Sequence, residues 1–98
     1  MKQQSPEKIL QTITDMRSEL ETRFSVTRIG VFGSCARGDA SAGSDVDILV
    51  ELAEPTFDHY MDLKFRLEEA LDRPVDLVMA DAIKPRLRPI IEKEALYA

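Results

Sequence analysis

The stretch from Ile29 to Val50, IGVFGSCARGDASAGSDVDILV, constrains this chain more than any other. It lies between two apolar runs separated by a break of glycine, serine and alanine. The first run, Val26 to Phe32, reads as a buried strand. Gly33-Ser34 ends it sharply, Arg37-Gly38 follows, and a small-residue loop closes at Gly43. A second strand enters at Ser44 and begins Asp45-Val46-Asp47. Side chains alternate along a strand, so Asp45, Asp47 and Leu49 share one face, and Val46, Ile48 and Val50 the other. Two carboxylates thus stand side by side at the start of an otherwise apolar strand.

Unpaired, such carboxylates repel each other and lose hydration. A divalent cation between them removes that cost, and hard ions such as Mg²⁺ prefer carboxylate oxygens. By itself D-x-D equally describes two solvated aspartates at a strand end. Gly33 allows a tight turn and close approach of backbone to ligand. Ser34 supplies a hydroxyl where a short helix would begin, and backbone N–H groups at a helix start attract anions. Alone, Gly-Ser is also an ordinary turn. Phosphate cradled beside cation-binding carboxylates is the constellation of phosphoryl or nucleotidyl transfer.

The combination G-S-x-x-R-G followed by S-D-x-D-I-L-V, carried by Gly33, Ser34, Arg37, Gly38, Ser44, Asp45 and Asp47, resembles the signature of the nucleotidyltransferase superfamily with the DNA-polymerase-β-like fold. Within it the chain resembles a minimal nucleotidyltransferase (MNT) domain, the kind paired with HEPN-domain proteins. The resemblance covers nearly the whole chain. It implies an α/β (α+β) fold, a small mixed sheet flanked by helices in the manner of a polymerase palm. It also implies a third acidic residue on the next strand. Asp76, in R-P-V-D-L-V, stands in that place. It interrupts an apolar run, where an unpaired carboxylate is expensive, and pairing with an arginine is its alternative reading.

By the same resemblance Asp45, Asp47 and Asp76 are the catalytic residues and hold two Mg²⁺ ions. Gly33, Ser34, Arg37 and Ser44 are the nucleotide-binding residues, with ATP the expected substrate. Arg37 alternatively pairs with a nearby carboxylate. MNT proteins act as antitoxins that neutralise a HEPN ribonuclease toxin by AMP transfer to a toxin tyrosine, and that function is expected here. The alternatives are an antitoxin that acts by binding alone, and a transferase for small molecules that works as an oligomer.

Size and charge agree with that expectation. Ninety-eight residues suit one domain spanning residues 1–98, and 44% hydrophobic residues supply one modest core. So short a chain leaves little room for an acceptor-binding domain, so the acceptor is expected to come with a partner. A net charge of −5 argues against nonspecific nucleic-acid binding. One cysteine permits no internal disulfide, and no signal peptide or membrane-length apolar run is visible, as expected of a cytoplasmic protein.

The remainder of the chain reads as support. Ser5-Pro6 marks a helix start, and Ile9, Ile13, Met16 and Leu20 form the apolar stripe of one helix running to about Glu21. Thr56 caps a second helix to about Leu71, striped by Tyr60, Leu63, Leu67 and Leu71. Val75 to Met79 reads as a third strand, Pro89 to about Glu94 as a short helix, and Leu96-Tyr97 as a last strand. Cys35 is a spacer without an adjacent base, and His59, the only histidine, is an exposed or locally satisfied side chain. Lys84, Arg86 and Arg88 form the one basic cluster; a solvated face is its plainest reading, and a partner surface or an anion contact are the alternatives.

Overall fold

The computed structural model describes residues 6–38 and 45–98. The expected cap Ser5, the loop Asp39 to Gly43 and Ser44 lie outside them. Pro6–Asp15 (α1) and Arg17–Phe24 (α2) precede the first strand, Val26–Phe32 (β1). A five-residue helix, Gly33–Arg37 (α3), begins directly at the end of β1. Then follow Val46–Leu52 (β2), Phe57–Leu71 (α4), Val75–Met79 (β3), Arg88–Glu94 (α5) and Leu96–Tyr97 (β4).

The four strands form one mixed sheet in the order β3-β2-β1-β4. β1 runs antiparallel to both β2 and β4, whereas β2 and β3 are parallel and joined across α4. A parallel pair needs such a crossover, and a helix of this length supplies it. The expected mixed sheet flanked by helices is present.

One face of the sheet carries Val31, Val46, Ile48, Val50, Val75 and Leu77, all buried. Ile9, Ile13, Met16, Leu20 and Phe24 from α1 and α2, with Leu63, Leu67 and Leu71 from α4, close over it into one core. Among the described residues no polar or charged side chain is buried there. Burying each of these large side chains contributes about 1.5–3 kcal/mol, and this packing is what holds the sheet to the helices.

The first helix differs from its sequence reading. Its stripe is buried as expected, but the helix breaks at Met16 and resumes to Phe24. The Met16 N–H bonds back to the Ile13 carbonyl, three residues away, rather than four. That tightened turn re-aims α2 while keeping Met16 inside. Thr56 caps α4 as expected, its hydroxyl accepting from the His59 N–H at 3.0 Å. α4 ends at Asp72, in the left-handed conformation at φ 56°, just before Arg73-Pro74. His59 is satisfied locally, its Nδ1 lying 2.7 Å from the Glu54 carbonyl.

Candidate active site

The site lies on the other face of the sheet, at the end where β2 and β3 begin. Strand register assembles it. Asp47 stands beside Asp76 across the parallel β2–β3 pair, and opposite Phe32, the last residue of β1. Asp45 lies just before β2, which begins at Val46 rather than at the expected Ser44-Asp45, and its charge acts on the Asp47 carboxyl. Two sequence-distant carboxylates are therefore neighbours because Val46 pairs with Val75, an alignment made by apolar residues facing the opposite side.

Gly33 makes room for them. Its φ of +71° is left-handed, which a residue bearing Cβ adopts at a cost. A Cβ there would also collide with the Asp47 carboxylate, lying 3.1 Å from Cγ after the nearer oxygen has been met. The turn thus brings backbone against the central carboxylate. Gly33 needs to be glycine for two separate reasons.

The carboxyl group of Asp47 is pushed above the usual carboxylate range. Partial burial is the largest cause, followed by the negative charges of Asp76 and Asp45 and by a hydrogen-bonding contact with Asp76. The Arg37 guanidinium draws it back down more weakly. A cluster in which like charges oppose ionisation of the central member has the donor chemistry of a hard divalent cation site. Among the described residues no group of three His, Cys, Asp or Glu is arranged to hold a metal unaided. A cation here would complete its shell with substrate and water oxygens, as Mg²⁺ commonly does.

The remaining expected residues fall as follows. Ser34 is the second residue of α3, beside Gly33. Gly38 ends α3 at φ +79°, with no described residue within 4 Å of where its Cβ would stand. Arg37 closes a salt bridge to Glu94 at 2.9 Å, so its pairing with a carboxylate is realised. Cys35 is buried, with Sγ 3.8 Å from the Asp45 carbonyl oxygen and 3.8 Å from an Arg73 nitrogen, a structural position under the site. In the basic cluster Arg88 is committed to Glu51, Asp81 and Glu92, while Lys84 and Arg86 are exposed.

Glu94 is the residue that sequence reasoning missed. From the last position of α5 it accepts the Gly33 N–H at 2.9 Å and an Arg37 N–H at 2.9 Å. Nothing in the local sequence distinguishes it from Glu92, two residues earlier.

Comparison with known proteins places this geometry. The sequence model of the nucleotidyltransferase domain family matches residues 13–98. The protein adenylyltransferase MntA of Thermococcus cleftensis is 41% identical over 92 residues, with 93% of each chain covered. A solved protein described as a minimal nucleotidyltransferase superposes with a TM-score of 0.81 at 35% identity, over 98% of both chains. A toxin–antitoxin pair solved with AMP-PNP contains a chain that superposes with a TM-score of 0.68 at 26% identity, over 85% of this chain and 69% of that one.

Proposed function

The chain belongs to the nucleotidyltransferase domain family and is a nucleotidyltransferase, and from that premise we propose that it transfers AMP from ATP to a tyrosine hydroxyl of a HEPN-type toxin, acting as that toxin's antitoxin. The observation that carries the reading is the register of Asp47 against Asp76, with the charge of Asp45 acting on Asp47 and Gly33 packed against it. The adenylyltransferase relative and the AMP-PNP-bound toxin–antitoxin neighbour support adenylate as the group and a toxin as the partner. The described residues pack into one core around one sheet, and in this reading the partner presents the acceptor.

Asp45, Asp47 and Asp76 would hold Mg²⁺. When bound, the metal supplies charge neutralisation for the phosphates and for the leaving oxygen. Gly33 shapes the turn, its own N–H being held by Glu94, and Ser34 would bring a backbone N–H and a hydroxyl to the β,γ-phosphates. Ser44 completes the nucleotide-binding set, and Arg37 lies beside Asp47 at its edge. The acceptor oxygen attacks the α-phosphorus, the bond to the bridging oxygen breaks, and pyrophosphate leaves. Asp76, on the exposed side of the pair, receives the hydroxyl proton.

Intact-mass spectrometry of the cognate toxin after incubation with this protein, ATP and Mg²⁺ tests the proposal. The expected result is a gain of one or more AMP units, absent with an Asp45→Ala/Asp47→Ala variant. A toxin that gains no mass yet stays inhibited by both proteins would overturn catalysis and leave neutralisation by binding.

A further inference from the structure

α3 is too short to stabilise itself. Its five residues begin at a left-handed glycine, and Phe32, at its N-cap, provides no side-chain hydrogen bond. The first N–H groups of any helix lack partners within it. Here the Gly33 N–H finds its acceptor 61 residues away, in Glu94 Oε1 at 2.9 Å. The other oxygen, Oε2, takes Arg37 Nη1 at 2.9 Å. One carboxylate therefore grips both ends of α3. Glu94 is itself held in place, because β4 begins two residues later and pairs with Gly30 and Val31 of β1. α5 spans the catalytic face from Arg88, bonded to Glu51 of β2, to Glu94 at the turn.

We infer that Glu94 is a positioning residue for nucleotide binding, bridging the Gly33 N–H and Arg37 so that the Gly33–Ser34 turn keeps the shape that receives the triphosphate. The inference rests on the function proposed above. A bare carboxylate beside a triphosphate site would repel its ligand, but Arg37 neutralises this one. Ser34, the residue after Gly33, places its hydroxyl in the first turn of α3. The bridge also restrains Arg37.

The test compares wild type, Glu94→Ala, Glu94→Gln and Glu92→Ala, with two readouts. One is the affinity for AMP-PNP with Mg²⁺ by calorimetry, and the other is hydrogen exchange of the Gly33 amide by NMR without ligand. Glu94→Ala should weaken AMP-PNP binding about tenfold or more, the equivalent of about 1.4 kcal/mol, and speed Gly33 exchange. Glu94→Gln keeps an acceptor for the Gly33 N–H but loses the charge facing Arg37. It should protect the amide while recovering affinity only in part. Glu92→Ala, whose carboxylate bonds Arg88 in the same helix, should match wild type in both. A Glu94→Ala protein that remains folded, binds as tightly as wild type or tighter, and shows an unchanged Gly33 amide overturns the inference. Failure of the wild-type chain to bind AMP-PNP would strike instead at the proposed function, since the Gly33 amide reports the bridge without any ligand.

Discussion

Gly33 and Gly38 provide a matched pair for testing how the turn is built. Both have left-handed backbones, at φ 71° and φ 79°. They differ in surroundings: a Cβ at Gly38 meets nothing within 4 Å among the described residues, whereas one at Gly33 runs into the Asp47 carboxylate. Alanine at either position should cost roughly 1–2 kcal/mol for the left-handed conformation, offset by about 0.4–1 kcal/mol from the stiffer unfolded chain. Only Gly33→Ala adds the displacement of Asp47, about 1–3 kcal/mol by analogy with overpacked sites. Urea unfolding followed by circular dichroism should therefore rank Gly33→Ala below Gly38→Ala by that difference. In an Asp47→Ala background the extra cost should largely disappear, a coupling of about 0.5–3 kcal/mol between contacting residues. Transferase activity should fall about a hundredfold in Gly33→Ala, because moving a catalytic group by about 1 Å has effects of that size. Equal destabilisation by the two alanines, or full additivity with Asp47→Ala, would refute the claim that the turn and the carboxylate are packed against each other.

Three further outcomes follow from the same geometry. In metal-free buffer Asp47→Asn should raise stability near neutral pH by about 0.5–1 kcal/mol, the range for partly exposed charges. Because the folded carboxyl titrates above its ordinary 3.8, the folded chain binds the proton more readily than the unfolded one. The Asp47 penalty is thus complete above the raised value and vanishes as pH falls through it to below the ordinary one. Thermal melts of both proteins across pH should converge on the acid side, and a gap independent of pH would contradict this origin. Gly30→Ala should cost about 1–3 kcal/mol and expose the β4 amides to exchange, since its Cβ would lie 2.8 Å from the Tyr97 ring and 3.0 Å from the Leu96 carbonyl. Leu67→Ala should cost about 2–5 kcal/mol in chemical unfolding while leaving the specific activity of the folded protein unchanged, because Leu67 packs in the core on the opposite face of the sheet.

Local order was legible because it comes from local chemistry. Period-two alternation put Asp47 on the face of β2 opposite Val46, Ile48 and Val50, and the Leu63, Leu67 and Leu71 spacing defined the buried side of α4, with Thr56 marking its start. Gly33 could be singled out because few other residues suit so abrupt a strand-to-helix turn. The break at Met16 was hidden, because the apolar spacing continues through it while the hydrogen bond changes from four residues back to three.

The sequence by itself determined which residues were chemically fit for the site, since donor type, turn geometry and strand period are properties of short segments. Only the tertiary structure decided how they meet. The parallel pairing of β2 with β3 sets Asp76 against Asp47, and it depends on α4 packing across the sheet. The return of α5 and β4 carries Glu94 to Gly33 and Arg37, turning one glutamate among many into part of the turn. Contacts between groups 61 residues apart follow from how whole elements bury their apolar faces, which no short segment encodes.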